Sequence, residues 1–83
     1  VKKTRQAAAR NVIGKRMRQA RLAANPPVTQ DDLAGKLAAK GITLDQGAIS
    51  RIENLTRYAM DYEAKAIAQC LKVSVAWLFG EEK

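Results

Sequence analysis

Histidine is absent from this 83-residue chain, cysteine occurs once and proline twice. Without histidine the usual zinc-ligand spacings cannot be assembled. Cys70 stands alone, so no intramolecular disulfide can form. No apolar run approaches the roughly 18 residues that would span a bilayer, and no signal-peptide pattern precedes the domain. A soluble protein in a reducing, cytoplasmic setting, with no membrane partner, is the expectation. The chain also lacks a phosphate-cradling glycine loop and a metal-ligand cluster. Ser50 has no evident base beside it, and Cys70 falls on an expected core helix, where an inert packed thiol is the default. No enzymatic activity, cofactor or metal is therefore expected.

Acidic residues are missing from one stretch in particular. Between Val1 and Gln30 there is no Asp or Glu, while Lys2, Lys3, Arg5, Arg10, Lys15, Arg16, Arg18 and Arg21 are all present. From Asp31 onward bases and acids nearly balance, and the net charge is +7. A lopsided basic half points to a polyanion: DNA, RNA or an anionic membrane. A solvated basic face that aids solubility stands beside these readings. A cationic membrane-surface helix would need a broad apolar face, and Ile13, Met17 and alanines supply a narrow one.

What the chain does have is helix-forming pattern. Its length is that of one domain, with only a thin core to bury. Much of its apolar content is alanine, which favours helix and fills little volume. Ile13, Met17, Ala20 and Ala24 recur at helical spacing, predicting a first helix from near Asn11 to Ala24. Gly14 within it marks either close packing or a boundary. Asn25-Pro26-Pro27 ends that helix. Thr29, with Asp32 three residues on, opens a second as a variant capping box; Leu33, Leu37 and Ala38 form its inner face, and Gly41 stops it. Ile42-Thr43-Leu44 is a connector with one or two apolar anchors. Asp45 caps a third helix from Gln46 to about Asn54. Asp61 is expected to cap a fourth, through Ala64, Ile67, Ala68 and Leu71. Ser74 caps a short fifth with Val75, Trp77, Leu78 and Phe79, closed by Gly80. No strand signal or internal repeat stands out. The organisation read from this is a basic arm or helix extension over 1–10, a domain over 11–80 and a tail over 81–83.

The third helix carries the functional reading. With Ala48, Ile49 and Ile52 turned inward, Gln46, Gly47, Ser50 and Arg51 project together on one face. Arg can bond guanine O6 and N7, and Gln can bond adenine N6 and N7. Gly47 leaves room for close approach to a groove. An ordinary polar helix surface is the competing reading.

Four sequence words then carry a resemblance. They are Ile13-Gly14-Lys15-Arg16-Met17-Arg18-Gln19-Ala20-Arg21, Thr29-Gln30-Asp31-Asp32-Leu33-Ala34, Ala48-Ile49-Ser50-Arg51-Ile52-Glu53-Asn54, and Ile67-Ala68-Gln69-Cys70-Leu71-Lys72-Val73-Ser74. In this order, from Ile13 to Phe79, they resemble the Cro/C1-type helix-turn-helix family of bacterial and phage repressors, also called the xenobiotic-response-element family. The resemblance implies an all-α, compact five-helix bundle of the lambda-repressor-like type, binding double-stranded DNA sequence-specifically as a transcriptional regulator, with repression the expected outcome. It implies that Gln30 bonds the DNA backbone and braces the recognition helix, and that Ala34 lies where the two helices cross. Gln46, Gly47, Ser50 and Arg51 would face bases or phosphates, with Asn54 and Arg57 completing the expected DNA-binding set. Arg21 and Glu53 match a family salt bridge. The region of Trp77 and Phe79 often dimerises in the family, so a homodimer is expected, against the plainer reading that Trp77 closes the monomer core. Tyr58 could reach phosphate or pack on the fourth helix, and Lys2, Lys3 and Arg5 could touch DNA or serve solubility. The same fold also serves antitoxins of toxin–antitoxin pairs, so a protein partner is the alternative function.

The chain departs from the family pattern in three places. The Asn25-Pro26-Pro27-Val28 link and the Ala39–Leu44 segment are longer than usual. Leu55 replaces a common glycine, and Asn54, which tolerates left-handed geometry, is expected to close the third helix in its stead.

Overall fold

A computed structural model describes residues 2–81, with side chains from residue 13 on. Five helices follow in order: α1 Lys2–Ala23, α2 Gln30–Ala39, α3 Gln46–Glu53, α4 Asp61–Leu71 and α5 Val75–Leu78. Among the described residues there is no strand. The chain is an all-α bundle of five helices. α1 begins well upstream of the expected Asn11 and reads as a helix through the basic segment; the side chains of Lys2, Lys3 and Arg5 lie outside the described residues, as do Glu82 and Lys83.

α3 packs on α1 and α2, and α4 packs on α1, α2 and α5. Their shared interior is filled by Met17, Leu33, Leu37, Ile49, Ile52, Ile67 and Leu78, all fully buried. Small residues, Ala20, Ala48, Ala64, Ala66 and Ala68, fill the interhelical seams. Leu44 is buried and Ile42 packs against the core, so both connector anchors are used.

The helix ends follow local chemistry. Thr29 Oγ1 accepts the Asp32 N–H at 2.9 Å, and the Asp32 carboxylate accepts the Thr29 N–H at 3.1 Å, a reciprocal capping box. α2 stops at Gly41, which takes φ +80° and donates its N–H to Ala38. Asp45 caps α3 through the Ala48 N–H at 2.8 Å, and Ser74 caps α5 through the Trp77 N–H at 2.9 Å. The fourth helix corrects the expectation. Met60 occupies the N-cap, Asp61 is already helical, and the Glu63 carboxylate accepts the Met60 N–H at 2.8 Å. The cap is thus supplied by Glu63 in the first turn rather than by Asp61 at the N-cap.

The end of α3 is a second correction. Asn54 stays at φ −88°, and Leu55 takes the left-handed conformation at φ 67°. A non-glycine residue there costs roughly 1–2 kcal/mol. The compensation is tertiary: the Leu55 side chain turns back onto α1 at Gly14. A Cβ added to Gly14 would lie 2.8 Å from Leu55 Cδ2 and 2.5 Å from the Ile52 carbonyl oxygen. Gly14 is therefore a close-packing residue, the point where α1 and the end of α3 touch.

Two consequences are measurable by urea denaturation. Gly14→Ala has to push backbone aside and is expected to lose about 1–3 kcal/mol. Gly35→Ala, on an exposed position of α2 with nothing within 4 Å of the added carbon, is expected to gain about 0.5–1 kcal/mol. Equal effects at the two sites would contradict the α1–α3 contact.

The capping box also predicts a pH dependence. The Asp32 carboxyl is held below its ordinary value, first by the Thr29 backbone N–H, then by the Thr29 side chain; desolvation opposes this, and a lesser charge attraction to Lys36 supports it. A folded-state value lowered in this way gives stability that is present above the unfolded carboxyl pKa and is lost as pH falls through the folded one. Asp32→Asn is expected to flatten the acid limb of the stability–pH curve and leave the neutral region's slope unchanged.

Candidate nucleic-acid interface

α3 is eight residues long, too short to persist alone in water. Ala48, Ile49 and Ile52 seal its inner face. The outer face is then fixed by periodicity: Gln46 and Arg51 are exposed, Gly47 and Ser50 half-buried, and Asn54 exposed at its end. The sequence-predicted reading residues thus share one surface. A Cβ on Gly47 would meet only Arg51 Nη1 at 3.4 Å and Asp45 Oδ1 at 3.6 Å. Gly47 is therefore not demanded by internal packing, and it keeps the helix surface low beneath the Arg51 guanidinium. Among the described residues no acceptor bonds that guanidinium. Asn54 Nδ2 makes a long 3.4 Å bond to Ser50 Oγ, which ties these two side chains loosely together.

Behind this face runs a chain of polar contacts. Arg21 Nε and Nη2 donate to Glu53 Oε2 and Oε1, both at 2.8 Å. The two side chains are 9% and 3% exposed, so the pair is nearly dry. Arg21 Nη1 also donates to the Val28 carbonyl at 3.0 Å, while the Val28 N–H returns to the Arg21 carbonyl at 3.0 Å. The long Asn25-Pro26-Pro27 link is thereby tied to α1. Hydrogen bonding to Glu53, the largest influence, holds the Arg21 guanidinium above its ordinary value; burial opposes this and charge attraction supports it. Gln30 Nε2 donates to Glu53 Oε1 at 3.1 Å, and Gln46 Nε2 donates to Gln30 Oε1 at 2.6 Å. Four residues from α1, α2 and both ends of α3 form one continuous network. Gln30 thus bridges the Glu53 and Gln46 side chains at the two ends of α3.

Other expected site residues have internal engagements. Arg57 Nη1 and Nη2 reach Glu63 Oε1 and Oε2 at 3.2 and 3.4 Å, and Nη1 also reaches the Tyr58 carbonyl. Glu63 is only 4% exposed, so Arg57 neutralises a buried carboxylate. Trp77 and Phe79 are half-buried and packed on the core. The Arg16 guanidinium lies 4.7 Å from the centre of the Trp77 ring, and Arg16 Nη1 donates to the Trp77 carbonyl at 3.3 Å. Trp77 thus fastens α5 to α1 and also borders a shallow apolar groove with Ala20, Ala23, Leu71 and Val73. Ala34 is half-buried against the core. Cys70 is half-buried on α4; burial pushes its thiol up, against the pull of Lys40 and Lys36.

Two cations stand out that the sequence placed only in a general basic half. Lys15 and Arg18, both exposed, border a groove with Gly14, Gln19, Leu22 and Glu53. They therefore flank the C-terminal end of α3. Their spacing of three on one helix was visible, but their place beside α3 depends on the Gly14 contact.

No protein-family model, curated protein or solved structure matches the chain. No helix among the described residues is long and apolar enough to cross a membrane.

The buried pair gives a test of the network. Arg21→Met is expected to lose about 3–5 kcal/mol, because it strands the Glu53 carboxylate. Arg21→Met combined with Glu53→Leu should recover much of that loss, since no unpaired charge remains. A double-mutant cycle in urea measures it; losses that simply add would contradict a coupled pair.

Proposed function

We propose that the chain binds double-stranded DNA with sequence preference by laying α3 in the major groove, as a Cro/C1-type transcriptional regulator, with repression the expected outcome. The observation that carries this reading is the outer face of α3. Arg51 stands there without a hydrogen-bond partner among the described residues, beside an exposed Gln46 amide that is held in place from behind. Unpaired guanidinium and oriented amide are the groups that read base edges, guanine for the first and adenine for the second. Ser50 and Asn54 flank them and complete the surface.

Charge supports the same reading. The net charge of +7 favours a polyanion, and Lys15 and Arg18 sit where phosphates on one side of α3 would pass. Arg57 would reach phosphate only by loosening its hold on Glu63, so its first role is structural. A homodimer formed around Trp77 and Phe79 would present two α3 helices to half-sites about 34 Å apart. The apolar groove beside Trp77 is the surface that favours such pairing over a strictly monomeric regulator.

Selection from a random duplex library, followed by titration at two salt concentrations, tests the proposal. Arg51→Ala is expected to lose about 1–3 kcal/mol on the selected duplex and to relax preference at one base pair. Lys15→Gln and Arg18→Gln should weaken all sequences alike, each lowering the salt slope by about 1. Selection of no sequence by the native chain, or an Arg51→Ala protein with intact affinity and preference, would overturn it.

A further inference from the structure

We propose that Glu53, acting through Gln30, fixes which end of the Gln46 amide faces outward, and is thus a positioning residue for base readout. The inference rests on the reading of α3 as the helix that meets the bases. It starts from a simple inventory of donors and acceptors. A primary amide has a donor end and an acceptor end of nearly equal size, so a free surface glutamine presents either one. An ionised carboxylate has acceptors only. Beside Glu53 Oε1, Gln30 must therefore place its Nε2, as it does at 3.1 Å. That leaves Gln30 Oε1 pointing to Gln46, and Gln46 must answer with its own Nε2, at 2.6 Å. Turning Gln46 over would set two carbonyl oxygens against each other. Turning both amides over would set the Gln30 oxygen against the carboxylate. Neither flip is possible without losing a bond, so the direction set at Glu53 is passed outward to Gln46.

The source of this direction is itself immobilised. Arg21 bonds both oxygens of Glu53 at 2.8 Å, so the carboxylate cannot rotate away from Gln30. The Glu53 side chain is almost wholly buried, on the opposite side of Gln30 from Gln46 in the chain of bonds. Its effect reaches the outer face only through the relay. Gln46 is left with its carbonyl and its second N–H to offer, with their arrangement decided before any duplex arrives. Such preorganisation keeps the reading side chain from having to be ordered on binding.

Two variants separate this role from a structural one. Gln30→Met keeps the side-chain length and leaves the Arg21–Glu53 pair in place, but it has no amide. Glu53→Asp keeps the charge near Arg21 and withdraws it from Gln30. In the free protein, nuclear magnetic resonance should show the native Gln46 side-chain amide as a single, exchange-protected orientation, and both variants should lose that signature. In library selection, both variants should fall from a preference of roughly tenfold or more to under about threefold at the one base pair read by Gln46, with other positions unchanged. Thermal melting monitors the fold of each variant alongside. A selective native protein whose Gln30→Met form keeps its preference overturns the proposal alone. So does a Glu53→Asp form that keeps it while Gln30→Met loses it, since Gln30 would then orient Gln46 unaided. A loss of affinity spread evenly over all sequences overturns it as well, because Gln30 would be a backbone contact only. A native protein that selects no sequence overturns the reading of α3 and takes this proposal with it.

Discussion

The Arg21 guanidinium and the Glu53 carboxylate meet fork to fork, 2.8 Å at each prong, in a place nearly closed to water. Taking both charges out of solvent costs several kcal/mol per ion, and their attraction repays this only when the geometry is good and the remaining polar atoms are satisfied. Here they are. Arg21 gives its third nitrogen to the Val28 carbonyl, and Glu53 takes a third donor from Gln30. The pair therefore fixes more than itself. It joins α1 to the last residue of α3, ties down the link before α2, and supplies the fixed acceptor from which the Gln30–Gln46 relay begins. An apolar replacement of the same volume could hold α1 against α3, but it could not orient an amide on the far side of the helix.

A second constraint works at the same junction. Gly14 lets α1 approach the end of α3 so closely that a methyl group would strike the Ile52 carbonyl oxygen. Leu55 fills the adjoining space, and to do so it accepts a left-handed backbone. Steric contact and ion pairing thus act on one short helix from the same side. Three buried side chains, Ala48, Ile49 and Ile52, would leave an eight-residue helix free to rock. Held at its C-terminal end by these two contacts and at its N-terminal end by the Gln30–Gln46 bond, it keeps its outer face in place.

Much of this architecture was legible from the chain, and the limits of legibility have a physical pattern. Thr29, Asp45 and Ser74 cap where the sequence places them, and Gly41 and Gly80 take positive φ, because caps depend on residues within one turn. The inner faces of α2 and α3 follow from periodicity for the same reason. The failures are nonlocal. Asp61 looked like a cap, but Glu63 is held in position by Arg57 and captures the Met60 amide instead. Asn54 looked like the left-handed residue, yet the packing site at Gly14 draws Leu55 into that conformation. The candidate reading face was read from spacing alone, whereas the Gln30–Gln46 bond joins two helices across a loop and has no local signature. The placement of Lys15 and Arg18 beside α3 was hidden likewise, since it depends on where α1 crosses.

The distribution of acids gives the charge pattern its meaning. Asp32 and Asp45 cap helices, Glu53 holds Arg21 and Gln30, and Glu63 holds Arg57 and the Met60 amide. Each of these carboxylates is engaged within the fold, at a helix end or between elements. Arginines divide correspondingly: Arg21 and Arg57 neutralise buried carboxylates and Arg16 rests on Trp77, while Arg51 is exposed on α3 and Arg18 beside it. Among the described residues, exposed Arg51, Lys15 and Arg18 thus stand on or beside α3, while exposed Lys36, Lys40, Lys65 and Lys72 belong to α2 and α4 and their ends.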